Sequence, residues 1–485
     1  MITFLICLTA LIVAYFTYGK YLEKVCDIDE NNPTPAKTMY DGVDYIPMPQ
    51  WKTFLIQLLN IAGLGPIFGA ILGAAYGPVA FLWITLGGIF MGAMHDFIAG
   101  VISLKNNGLS FPEIIGKYLG NGTKIFMRIF TVLLMVLVGA VFMSQPAALI
   151  ASNISLPALE SIEIFSGTSL ELFIVLGIIL IYYILATLLP IDKIIGRFYP
   201  IFGVALLVMA LGILIVLLFN SDTYIIPELT SLKNMYYQAD KFPIIPMLFT
   251  TIACGAISGF HATQSPLMAR CMTSEKQSRP IFYGAMIAES IVALIWAAIA
   301  MAFWGGVEGL NNAIIEHKGN AATLVNIISE TTLGSTIAAF VIFGVIACAI
   351  TSGDTAFRSA RLIVADMFNI SQQPLLKRIY VSIPLFCIAI FIITALPFQT
   401  IWSYFAWTNQ TLSAITLWCI TCYLAKKSKP TIISLLPAIF MTYICASYIF
   451  VSPMMFGMSN RTMAYICGGI LTLIIMGMMM IKTKK

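Results

Sequence analysis

A few ionisable side chains stand inside long apolar runs: His95, Asp96, His261, Glu289, Asp354, Arg358 and Arg361. On insertion scales a charge at the centre of a bilayer costs about 2.5–3.5 kcal/mol, so each of these groups needs a partner or a task. Histidine as a residue type titrates near physiological pH when unperturbed, and His261 sits in Cys254-Gly255-Ala256-Ile257-Ser258-Gly259-Phe260-His261, where two glycines and a serine weaken the backbone. That combination suits solute binding or proton exchange. Glu289 is expected to be either a buried carboxyl bonded to a neighbouring helix or a proton carrier. His95 and Asp96 are expected near a gate, as a hydrogen-bonded pair or as a proton station. Asp354 precedes Arg358 by one helical turn and can pair with it. Thr351 and Ser352 beside it offer neutral hydroxyl oxygens, which hard monovalent cations such as Na⁺ accept. Gln145-Pro146 and Thr408-Asn409-Gln410 are further candidates for a cavity wall.

The background against which these groups stand is that of a membrane protein. Of 485 residues, 59% are hydrophobic and 10% charged, and the mean hydropathy is +0.92. Soluble domains carry about 25% charged residues, so a water-soluble globule is excluded. The net charge of +5 is scattered as small clusters between apolar runs, which argues for membrane orientation rather than nucleic-acid binding. Nine of the ten cysteines lie in or beside apolar segments. Cys419-x-x-Cys422 falls within one of these, where packing explains it better than redox or metal chemistry.

Runs long enough for a roughly 30 Å hydrocarbon core divide the chain into about thirteen helices. A first helix occupies residues 1–20 and a polar cytoplasmic segment 21–51. Five helices follow in 52–219, an external loop in 220–245, five more in 246–424, and two accessory helices in 430–482. With the N-terminus outside and the C-terminus cytoplasmic, only Lys233, Lys241, Lys318 and Arg461 of the 27 basic residues fall outside. This is the asymmetry that orients a multi-pass protein in an inner membrane.

Two of these crossings should break. Gly63-Leu64-Gly65-Pro66-Ile67-Phe68-Gly69 lies in mid-span. A proline inside a helix costs about 3 kcal/mol or more but suits the first turn of a new one, so the helix should stop near Gly63 and restart at Pro66. Gly255–His261 repeats the interruption five spans later, and five is odd, so the second copy enters from the opposite side. Interrupted helices at matching places in two halves point to an inverted-repeat transporter, with solute held at the breaks. The expected substrate contacts are Gly63, Gly65, Pro66, Gln145, Gly255, Ser258, Gly259 and His261. Thr351, Ser352, Asp354 and Glu289 are the expected ion-coupling groups.

Ile61-Ala62-Gly63-Leu64-Gly65-Pro66, the Asp41-Gly42-Val43-Asp44-Tyr45-Ile46-Pro47 stretch, His95-Asp96-Phe97 and the segment from Cys254 to His261 together resemble the carbon starvation protein A (CstA) family. The resemblance runs from residue 1 to about 425. Ile56 and Gln57 depart from it, since longer members carry paired histidines there. It implies an all-α integral membrane protein with the LeuT-type five-plus-five inverted repeat. It also implies uptake of short peptides or a small carboxylate such as pyruvate, coupled to H⁺ or Na⁺, when carbon is scarce. In that fold Thr351-Ser352 falls at a sodium site facing the first broken helix. No ATP-binding loop and no cofactor motif is present, so a secondary transporter rather than an enzyme is expected. A channel or sensor is the alternative; an intramembrane aspartyl protease built on Asp96 and Asp354 is a weaker one.

Overall fold

The computed structural model describes residues 1–153, 170–188 and 195–483. Within them the chain is helical and contains no strand. Helix α1 spans Ile2–Val25, broken only at Thr17, and α2 spans Gln50–Ala62. Next come α3 (Gly65–Ala74), α4 (Val79–Lys105), α5 (Phe111–Leu119), α6 (Asn121–Asn153), α7 (Leu170–Leu188) and α8 (Ile195–Phe219). The second half holds α9 (244–251), α10 (Phe260–Ala269), α11 (Glu275–Phe303), α12 (Val307–Glu316) and α13 (Ala321–Phe368). It closes with α14 (Leu375–Ala395), α15 (Phe398–Lys426), α16 (Ile432–Val451) and α17 (Arg461–Thr483).

Among the described residues nine helices are long and apolar enough to cross a bilayer, and the bent pair α2–α3 makes a tenth. Of the other expected crossings, α9–α10 is unwound at 252–259 and α15 is more polar, so neither meets that measure and the count of thirteen is not fixed. The glycine-rich breaks fall where local chemistry requires them. Helix α2 ends at Gly63, whose φ of 52° lies in the left-handed region. Helix α3 restarts at Gly65 with Pro66 in its first turn, bent 54° from α2. Between α9 and α10, residues 252–259 are unwound, with Gly255 at φ 92°.

The two breaks lie against each other. A Cβ on Gly65 would sit 2.3 Å from that of Cys254, and one on Gly255 would come within 4.0 Å of the Pro66 Cα. Close approach of two bare backbones is what glycine permits and any side chain forbids. Helix α11 passes beside the breaks and packs against α1, α2, α3, α4 and α8, with Trp296 fully buried. Helix α13 kinks at Gly334, where φ is 74°, and then lies along α6.

The termini mark two faces. On the Met1 face, Glu228 accepts from the Met1 ammonium and from the Ile2, Thr3 and Thr3 hydroxyl donors at the head of α1. Hydrogen bonds from Met1 and the Thr3 hydroxyl hold its carboxyl down at about 2. On the other face the Lys482 ammonium donates to the Leu119 carbonyl, and Lys105 donates to the carbonyls of Cys26 and Asp27. Basic residues crowd this second face, including Lys124, Arg128, Lys276, Arg279 and Lys429 in ion pairs.

Candidate functional site

Four of the stranded ionisable groups meet at the second break. Asp96 on α4 has both carboxylate oxygens engaged: Oδ1 lies 2.8 Å from His95 Nδ1 and Oδ2 lies 2.8 Å from His261 Nδ1. An ionised carboxylate only accepts, so each imidazole carries its proton on Nδ1. His261 stands in the first turn of α10, just past the unwound segment. Its Nε2 is 3.5 Å from Glu289 Oε2 on α11, and Glu289 Oε1 accepts the Gly255 N–H at 3.1 Å. Asp96, His95, His261 and Glu289 are all fully buried. With Nδ1 already donating, a neutral His261 leaves Nε2 as an acceptor, which a protonated Glu289 can serve. An imidazolium facing an ionised Glu289 is the other arrangement, and the two differ by one proton moved over a short distance. The Cys254 Sγ is near enough that one ligand atom each from Cys254, His261 and Glu289 lies within 4.8 Å of the others.

Asn409 braces the break from α15. Its Oδ1 accepts from the Ser258 hydroxyl at 3.1 Å and from the Phe260 N–H at 2.7 Å, while Gln410 Nε2 donates to the Phe249 carbonyl at 2.8 Å. Of the polar run at 408–410, a candidate cavity wall, Asn409 and Gln410 satisfy groups at the break, while the Thr408 hydroxyl donates to Tyr404 O and Phe405 O of its own helix. A Cβ on Gly259 would meet the Asn409 carbonyl at 2.3 Å, which explains the second glycine of the motif.

The sodium-type oxygens divide. The Ser352 hydroxyl crosses to α2 and donates to the Leu59 carbonyl at 2.7 Å, close to Gly63. The Thr351 hydroxyl turns onto its own helix and donates to Cys348 O at 2.9 Å. Asp354 does not pair with Arg358. It accepts from Tyr182 at 3.1 Å and from Tyr199, which also donates to the Thr351 carbonyl. Asp96 and Asp354 are thus each committed to other partners rather than to each other.

Arg358 has a partner that sequence reasoning missed. Asp44 Oδ1 lies 3.0 Å from Arg358 and 3.6 Å from Arg361. Burial favours the neutral Asp44 acid, yet Arg361, Arg358 and Arg270 together overcome this and hold its pKa below the usual carboxylate value. Asp41 shapes the loop by accepting the N–H groups of Val43, Asp44 and Tyr45 at 2.8–2.9 Å. Met48 then donates to Cys271 O just beyond α10. The signal in the sequence was a single acid of the polar segment, Asp44, set against buried arginines elsewhere. Their separation by more than 300 residues hid it.

On the Met1 side of the breaks a chamber of about 470 Å³ is bounded by Leu72, Tyr76, Tyr236, Gln238, Lys318 and Trp402. A second, of about 290 Å³, reaches Phe68 of α3 and Gln145 of α6. Leu72, Lys318, Gly319 and Trp402 border both. Ring contacts run from Trp402 through Phe405 and Phe142 to Phe260 beside His261. Gln145 therefore borders the smaller chamber, while Gly63, Gly65, Pro66, Gly255, Ser258, Gly259 and His261 lie at the breaks and border neither chamber.

The family model described as carbon starvation protein CstA matches residues 1–166, 149–338 and 311–448. The chain belongs to the CstA family. Its relatives include a membrane protein of Haemophilus influenzae, 44% identical over 65% of this chain and 94% of that one. A peptide transporter CstA of Bacillus subtilis is 24% identical over 90% of this chain and 88% of its own. The pyruvate/proton symporter BtsT of Escherichia coli is 29% identical over 59% of this chain but only 46% of its own length. Among solved structures, the MhsT complex with L-phenylalanine superposes with a TM-score of 0.58 at 14% identity, covering 88% of this chain and 98% of that one. The CstA-family chain therefore has the LeuT-type fold expected from its paired breaks, and it is a multi-pass membrane protein of a transporter family.

Proposed function

We propose that this CstA-family protein is a proton-coupled importer of small carboxylates, pyruvate-like acids or short peptides, working by alternating access in the inner membrane. The observation that carries this reading is the Asp96–His261–Glu289 series, seated on the unwound backbone that in this fold lies where solute binds. A proton moving between His261 and Glu289 changes the charge beside Gly255, whose N–H Glu289 holds. The coupling is thereby attached to a hinge. Sodium coupling is less well supported, because only Ser352 of the expected hydroxyl pair faces the first broken helix.

In this reading the N-terminus is outside, the Met1-face chamber is the external vestibule, and Asp44 with Arg358 and Arg361 closes the cytoplasmic side. The repeats comprise residues 52–219 and 246–424 and rock about the crossed breaks, while α1, α16 and α17 frame them. Nothing in this scheme calls for a cofactor or an enzymatic step. The test is uptake of labelled pyruvate and of dialanine into proteoliposomes under an imposed inward proton gradient. Saturable uptake that collapses with a protonophore supports the proposal. Uptake that follows a sodium gradient alone, or a unitary conductance, would overturn it.

A further inference from the structure

Among the described residues the vestibule walls carry one cation and no carboxylate. Of the described residues bordering the two chambers, Lys318 is the only charged one. It forms no ion pair within 4.0 Å among the described residues, although Glu316 is two positions away on the exposed end of α12.

Its position is built rather than incidental. Lys318 occupies a left-handed turn at φ 52°, followed by Gly319 at φ 72°. The Lys318 N–H donates to Ile315 O and the Gly319 N–H to Ile314 O, the usual closure of a helix end. Asn320 then opens α13 by accepting from Ala322 and Thr323. Helix α12 is stapled over the vestibule by Asn311, whose Nδ2 donates to the carbonyls of Ala75 and Met235 and whose Oδ1 accepts from Tyr237. Because Lys318, an exposed residue, borders both chambers, solute passing from the outer one toward Phe68 and Gln145 moves past it.

We infer that Lys318 is the capture residue for the substrate carboxylate and biases the vestibule toward net-anionic solutes over zwitterionic peptides. The inference deepens the transport reading and rests on it. A lone cation in a cleft concentrates anions, and the effect fades as salt shortens the screening length from about 30 Å at 0.01 M to about 8 Å at 0.15 M.

The experiment compares K318Q, K318R and K318E with the wild type in proteoliposomes, measuring KM and maximal rate for pyruvate and for dialanine at low and physiological salt. At low salt K318Q should raise the pyruvate KM about tenfold with little change in maximal rate, K318E should raise it further, and K318R should stay near wild type. The dialanine KM should move by less than about twofold, since the two charges of a zwitterion largely offset each other in the same field. An unchanged pyruvate KM in K318Q, or equal shifts for both substrates, overturns the role of Lys318 while leaving transport intact. A wild-type protein that neither imports nor is thermally stabilised by pyruvate or dialanine overturns the transport reading and this inference with it.

Discussion

His261 Nδ1 and Asp96 Oδ2 lie 2.8 Å apart although their residues are 165 positions apart in the chain. That contact joins α4 of the first half to the broken helix of the second. It fixes the tautomer that leaves His261 Nε2 turned toward Glu289.

Replacing His261 by Ala, or Glu289 by Gln, should remove gradient-driven uptake by about 100-fold, the scale on which positioned acid–base groups act. Exchange of labelled for unlabelled substrate, which needs no net proton movement, should fall far less. Proteoliposome uptake and counterflow measured side by side separate the two. Equal losses in both would assign these residues to substrate binding instead.

Replacing Na⁺ by choline should leave uptake within about twofold, because the Thr351 hydroxyl is turned onto its own helix while monovalent cations need several converging oxygens. Ser352→Ala should cost only its hydrogen bond to Leu59, about 1 kcal/mol of stability. A steep sodium dependence that disappears in this variant would reverse the choice of ion.

Asp44→Asn strips the carboxylate from two buried arginines, and an uncompensated buried charge costs about 3–5 kcal/mol. The variant should unfold at lower temperature and react faster at cysteines placed on the Lys482 face. The pH dependence follows from the lowered pKa of Asp44. A group depressed on folding stabilises above its unfolded value, about 3.9, and that contribution is lost as pH falls through the lower folded value. Thermal stability of the wild type should therefore hold from neutral pH to about 5 and decline below 4, with a smaller decline in Asp44→Asn. Glu228, held at about 2, titrates in the same direction at the other face.

Gly65→Ala places a methyl 2.3 Å from the Cys254 Cβ. Overpacking of this kind costs about 1–3 kcal/mol, and here it also pries the crossed breaks apart, so transport should fall sharply while the protein remains folded. Cys254→Gly in the same chain removes the opposing atom and should restore part of the activity. A double-mutant cycle on uptake and melting temperature measures that coupling.

The breaks were legible because glycine and proline act locally: Gly63, Pro66 and Gly255 misfit a helix whatever surrounds them. The apolar runs were legible for the same reason, since bilayer thickness sets their length. The assembly of the site was not. Asp354 and Arg358 are correctly spaced for a helical ion pair, yet tertiary partners take both, Tyr182 and Tyr199 on one side and Asp44 on the other. His95-Asp96 and Glu289 were visible as anomalies in apolar surroundings, but nothing in their spacing shows that they converge on His261. Asn409 read as a cavity wall because its true debt, to the bare N–H of Phe260, exists only after the chain has unwound.

Glu289 touches the unwound strand through a single N–H, that of Gly255. A bond to a charged acceptor is worth about 1.5–3 kcal/mol, which caps what this one thread can transmit at roughly a 10- to 150-fold bias between conformations. Under the proposed proton coupling, tighter stoichiometry than that has to be supplied by the cargo itself, and slippage, in which protons leak through unladen, is the behaviour to expect.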